Sequence, residues 1–273
     1  MTARTIRWNG ALRAQLLLLQ RMGRVRVLVW AGLLSLVAAV VVEWGSPPSD
    51  YTIANEGFAL LTLHRFVVLA GAAWGIMLWW HEPPGRRDQF LAAPVDVTAH
   101  ESARIVAGGL WLLVLLLLAT AATLAVQAAG GRSAALGNIA PEAWVALFSA
   151  PMLAYALAAT VSTATRRSIE MAALGIVALG GLYLVVLRFM WVRTSADVMA
   201  LFEINRYSLF NALGGLGTTT TTNYTEVSAT STVTTTSVVT GSHMSPYWLD
   251  ATLLWWAIAL GALTFVLWRR RRA

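Results

Sequence analysis

Six stretches of this chain are apolar over lengths that suit a bilayer: residues 27–44, 57–80, 104–128, 144–165, 169–192 and 248–268. A hydrocarbon core of ~30 Å takes roughly 20 residues of helix. In that medium every backbone N–H and C=O must find its partner inside the protein, and a helix achieves this within one segment. Of the 273 residues 58% are hydrophobic and 12% charged, against roughly 25% charged in a soluble domain. The expected fold class is an all-α integral membrane protein with six transmembrane helices.

Charge sets their direction. Arg4, Arg7, Arg13, Arg21, Arg24 and Arg26 precede the first span, Arg86, Arg87 and Arg104 lie between the second and third, Arg166 and Arg167 between the fourth and fifth, and Arg269 to Arg272 close the sequence. With six alternating spans these fall on one side, and only Arg132, Arg193 and Arg206 on the other. The positive-inside rule then makes both termini of this multi-pass chain cytoplasmic. Tryptophans at the span ends, Trp44, Trp144, Trp191 and Trp248 outside and Trp79, Trp80 and Trp268 inside, fit the headgroup preference of the indole ring. The first span is long enough to cross, and no small-residue cleavage pattern follows before "EWGSPPSD", so it is expected to remain in the mature protein.

Composition also excludes chemistry. Without cysteine there are no disulfides, thiolate metal sites or cysteine nucleophile. All twenty basic residues are arginine, so neither a P-loop lysine nor a kinase lysine is available. The net charge of +7 sits at span ends and not in a stripe with interleaved aromatics, so no nucleic-acid partner is expected. An all-arginine, alanine- and leucine-rich chain suits a GC-rich prokaryotic genome, and hence a prokaryotic plasma (inner) membrane.

Four regions follow. Residues 1–26 hold an interfacial helix, with Trp8, Leu12, Leu16, Leu19 and Met22 on one face and Arg13, Gln20 and Arg24 on another. Residues 27–192 contain spans one to five with a cytoplasmic loop at 81–103, and 248–273 the sixth span and basic tail. Residues 193–247 form an extracytoplasmic insert whose first half has the apolar content of short helices. Its threonine-rich second half is compatible with a hairpin or with no fixed structure.

The loop between spans two and three, "HEPPGRRDQFLAAPVDVTAHESAR", is more elaborate than a connection needs. Pro83 and Pro84 stop the second span. "GRRDQFLAA" is then long enough for about two helical turns before Pro94, and Thr98 with Glu101 matches a capping box opening the third span. A solvated loop is one reading. Phe90 and Leu91 among Arg86, Arg87 and Asp88 favour the other, a docking surface for a partner protein.

The pattern of an acidic residue, a basic pair, an aromatic and leucine, "PV", and a polar run ending in arginine resembles the corresponding loop of ABC transporter permeases of the type-two exporter superfamily. Six spans, cytoplasmic ends, an N-terminal interfacial helix and an outer insert before the last span are similar too. The resemblance implies a membrane-spanning exporter subunit paired with a second permease subunit and driven by a separate ATP-binding subunit. ATP and Mg would sit on that partner, so this chain binds no cofactor and is not itself an enzyme. Glu82, Arg86, Arg87, Asp88, Phe90 and Leu91 would contact the ATPase, and Pro94 would turn the chain toward the third span. The threonine-rich segment has no counterpart in that pattern.

Charges within the spans are candidates of another kind, since an intramembrane ionisable group is costly. His64 and Arg65 lie about eight residues into the second span. Arg65 is open to pairing with an acid such as Glu43 or to lining a substrate path, whereas Arg188 is near enough to the outer interface to snorkel. His64 and His81, ~25 Å apart along one helix, cannot share a metal, and no hydrolase or dinucleotide motif is present. The alternative to a permease is a non-transporting membrane anchor or assembly factor that recruits a cytoplasmic partner; secondary transport lacks an inverted repeat or a pair of broken spans. Because the chain is cysteine-free, single cysteines at Thr2 and Ala273 should react with an impermeant thiol reagent only after the cytoplasmic face is opened; labelling of either in intact cells would refute the topology.

Overall fold

A computed structural model of the chain describes residues 3–21, 26, 29–30, 56–78, 97–129, 141–165, 206–214, 216–225, 234–244 and 247–272. Its elements are α1 (Ala3–Arg21), α2 (Glu56–Met77), α3 (Val97–Ala129), α4 (Pro141–Thr165), α5 (Leu209–Gly214), β1 (Leu216–Thr225), β2 (Thr234–Met244) and α6 (Trp248–Arg272). Among the described residues three helices are long and apolar enough to cross a membrane, over 98–125 in α3, 144–165 in α4 and 248–269 in α6, which accords with an all-α membrane protein. Helix α2 covers most of the second expected span and carries a shorter apolar stretch at Val67–Met77. The first expected span, apart from Val29 and Trp30, and the fifth lie outside the described residues.

The closest helix pair is α2 with α4, and small residues make it possible. Gly71 and Gly75, one turn apart, press against the α4 backbone. A Cβ on Gly75 would lie 2.6 Å from the Tyr155 carbonyl oxygen and 2.8 Å from the Ala158 Cβ; one on Gly71 would collide with the Pro151 carbonyl. Between helices in lipid there is little hydrophobic drive, so dispersion across such a close approach and interhelical hydrogen bonds hold the pair. Ser162 supplies one such bond, donating from Oγ to the Gly75 carbonyl at 3.0 Å. Pro151, fully buried within α4, deprives the Leu147 carbonyl of its usual i+4 donor, a loss that helices buried against neighbours can absorb.

Helix α3 crosses over this pair. Trp74 of α2 donates from Nε1 to the Gly108 carbonyl at 2.9 Å, and the Tyr155 hydroxyl of α4 donates to the Ile105 carbonyl. Leu78, Leu112, Leu116 and Leu147 complete the main core. Thr123, Thr160 and Thr264 instead donate within their own helices, to the Ala119, Ala156 and Leu260 carbonyls, and need no partner helix.

Helix α6 sits at the edge of the described bundle: 17% of its apolar window is buried, against 50% for α3 and 56% for α4. Trp256 ties it to α4 through an Nε1 donation to the Ser149 hydroxyl, 3.0 Å. At its N-terminal end Arg206 pairs with Asp250 at 2.7 Å, and its guanidinium lies over the rings of Tyr207 and Tyr247, 5.4 and 5.0 Å from their centroids. The bond to Asp250 raises the pKa of Arg206 above its ordinary value, so the guanidinium keeps its charge. From there α5 tucks Ala212 into a small second core with Leu153, Ala251 and Ala259.

The threonine-rich segment folds as a two-stranded antiparallel hairpin, one of the two states its sequence allows and the one non-helical element among the described residues. Thr218 pairs with Ser242 and Thr220 with Val239, so β2 carries one extra residue, a bulge at Thr240–Gly241. β-branched threonine favours the pleated conformation, and the hairpin meets α2 and α4.

The contrast between two glycines tests the packing. Gly75→Val should cost about 1–3 kcal/mol by overpacking and lower the unfolding midpoint in detergent by several degrees. Gly261→Ala on α6, where nothing lies within 4 Å of an added Cβ, should stay within about 0.5 kcal/mol of wild type.

Candidate functional site

The charged loop between α2 and α3 leaves one helix and enters another, and the structure defines both ends. Residues 79–96 themselves, with the candidates Glu82, Arg86, Arg87, Asp88, Phe90, Leu91 and Pro94, lie outside the described residues, as does Arg188. His64 and Arg65 are in the middle of α2.

At the entry, Leu78 has no exposed surface. Its side chain rests against Gly108, close enough that a Cβ there would be 2.7 Å from Leu78 Cδ2. The exit starts with Val97, one residue ahead of Thr98, so Thr98 already belongs to the first turn of α3 and is not the residue that precedes it. The helix therefore begins inside the expected loop 81–103. Arg104, counted by sequence with Arg86 and Arg87 among the charges between the second and third spans, is fully buried: Glu101, Arg104, Ile105 and Gly108 share one face at i, i+3, i+4 and i+7, and that face turns inward. Glu101 is buried with it, 5% exposed.

Helix α1 closes this end of the bundle. Its apolar face, Leu12, Leu16 and Leu19, lies on the core, with Leu19 fully buried. Gln15, within the same stripe, is 3% exposed and donates from Nε2 to His100 Nδ1 at 3.2 Å. Turning the amide over would let its oxygen accept from a ring N–H instead, so the contact suits either tautomer. One residue on, the Leu16 carbonyl accepts from Trp111 Nε1 at 3.4 Å. The two α3 anchors are eleven residues apart, ~16 Å of helix.

Residues 97–111 are thus gripped from three directions: by α1 through Gln15 and Leu16, by α4 through Tyr155, and by α2 through Trp74 and Leu78. The loop begins and ends on one packed junction, which includes two buried ionisable groups. Such an arrangement transmits displacement well, since packed side chains yield in discrete rearrangements and not by gradual compression. Among the described residues no three His, Asp or Glu side chains gather as a metal site.

Several of these residues escaped the sequence reading. Gly71 and Gly75 had a visible signature, two small residues four apart in an apolar helix. Gln15 also had one, as the polar member of an otherwise leucine stripe. Tyr155 had none, because nothing local distinguishes a tyrosine that reaches a neighbouring helix from one at the interface. No protein-family model, curated protein or solved structure matches the chain.

The buried charges yield a prediction. Glu101 and Arg104 lie one turn apart on the buried face of α3; if they compensate each other there, removing one costs about 3–5 kcal/mol. Glu101→Gln and Arg104→Leu should each lower the unfolding midpoint, while the double variant should lose less than their sum in a double-mutant cycle. Additive losses would show that the two groups are stabilised independently.

Proposed function

We propose that this chain is the membrane-spanning permease subunit of an ATP-driven ABC exporter, coupled to a separate ATP-binding subunit through the loop between α2 and α3. One observation carries the reading: the eighteen loop residues 79–96 start at Leu78 and end at Val97, and Leu78 and the first turns of α3 belong to the same packed junction. A subunit that pushes on this loop through Arg86, Arg87, Phe90 and Leu91 acts on α2, α3 and, through Tyr155 and the glycine contacts, on α4 together. A loop serving only as a connection would need no such bracing.

In the full proposal the chain has six spans with both termini in the cytoplasm of a prokaryotic cell, and two such subunits form the path. ATP and Mg act on the partner. Nucleotide moves the spans only if its bound state favours one of their arrangements over the other. Arg65, midway along α2, is then a candidate for the substrate path.

The test is purification from native membranes in mild detergent beside an Arg86→Ala/Arg87→Ala/Phe90→Ala/Leu91→Ala variant, followed by identification of the proteins retained. A nucleotide-binding subunit held by the wild type and lost from the variant, at equal expression, is the expected result. Retention by both would move the coupling surface elsewhere. Absence from both, in a preparation that keeps other complexes intact, would sink the exporter reading in favour of a membrane anchor.

A further inference from the structure

Helix α1 has a second face, and it is unlike the one docked on α3. Arg13, Leu17 and Arg21 follow one another at i, i+4 and i+8, a single stripe along the helix. All three are exposed, Leu17 to 51%. Asn9, one turn earlier and also exposed, extends the stripe. The helix carries four arginines, Arg4, Arg7, Arg13 and Arg21, and no acidic residue.

Its height on the bundle is fixed by the two contacts with α3. His100 lies in the polar first turns, beside Glu101 and Arg104; Trp111 lies in the apolar run that extends without a charge from Ile105 to Gly131. Helix α1 is therefore pinned where α3 changes from charged to apolar, which is the level at which an aqueous surface gives way to hydrocarbon. At that level a half-exposed leucine between two guanidiniums has a matching environment. The leucine meets the upper acyl chains, and each guanidinium offers paired N–H donors to a phosphate. Fully in water, Leu17 would gain nothing.

We propose that the Arg13–Leu17–Arg21 stripe of α1 is a binding site for the phosphate headgroups of anionic lipids, and that this lipid contact holds the outer side of α1 as α3 holds its inner side. The inference uses the membrane reading but not the ATP-binding partner, so it stands or falls separately from the exporter proposal.

The absence of native cysteine permits a direct test on the full chain. Leu17→Cys, labelled with an environment-sensitive fluorophore, is reconstituted into vesicles of phosphatidylcholine alone or mixed with phosphatidylglycerol. Contact with lipid is read from quenching by spin-labelled lipid, and contact with water from quenching by uncharged acrylamide. The expected result is stronger lipid quenching and weaker acrylamide quenching in the phosphatidylglycerol vesicles, with the difference shrinking as salt is raised. Adding Arg13→Gln and Arg21→Gln should lower the ratio of lipid-contacting to water-exposed probe roughly 30-fold in those vesicles. A label at Leu12→Cys, on the docked face, should stay shielded from both quenchers throughout, showing that α1 remains folded against α3. Equal lipid contact in both vesicle types, or no response to the double substitution, would overturn the proposal. So would a probe at position 17 shielded from both quenchers, which would mean that protein covers this face.

Discussion

The approach of α2 to α4 at Gly71 and Gly75 is the constraint on which the described bundle depends. With no side chain at these two positions the backbones come close enough for Ser162 to reach the Gly75 carbonyl and for Tyr155 to project past α2 onto α3. Trp74, between the two glycines in sequence, points to α3 and donates to Gly108. Gly108 sits at the same junction, where an added Cβ would meet the Tyr155 hydroxyl and Leu78 and make one of them move. Three helices are thus fixed by three glycines, and their polar contacts end on backbone carbonyls, the acceptors always present in a helix.

From that junction the rest of the arrangement follows outward. Tyr155 and Trp74 fix the start of α3, which brings Glu101 and Arg104 inside and offers His100 and Trp111 to α1. At the opposite end of the bundle, the α4–α6 contact through Ser149 and Trp256 leaves a recess that α5 fills, and Arg206 clamps that turn to the head of α6. The clamp is exposed at 45% and 42%, so its ion pair is screened by solvent and adds little to stability. Its two tyrosine rings and the Trp255 bond to the Tyr207 carbonyl do more to fix the turn.

Burial of Glu101 and Arg104 beside the loop is costly for a purely structural element. Buried ionisable groups are often no better than apolar residues of like volume, and the best-attested reason to keep them is to specify one arrangement over another. Under the exporter proposal the two arrangements would be the inward- and outward-facing forms, with the buried charges helping to keep them distinct. The anionic-lipid stripe on α1 would add a second restraint on the same junction, imposed by the bilayer and independent of nucleotide.

The length and apolarity of the runs at 144–165 and 248–268 determined two of the three candidate spanning helices almost to the residue, and the run at 104–128 determined the third except for its first two turns, because a helix in hydrocarbon satisfies its own backbone and needs no information from elsewhere in the chain. The docking face of α1 was legible for the same reason, as a periodicity of 3.6. The hairpin was half-legible: threonine β-propensity allowed it, but two strands must find each other, and no single strand states its register. Which charges are buried was decided only in three dimensions. Arg104 reads like Arg86 until α3 puts it on one face with Ile105, and until Tyr155, fifty residues beyond Ile105, packs on that face. Local sequence fixes a helix and its faces; what lies against each face depends on distant residues whose contact becomes possible only where glycines let backbones meet.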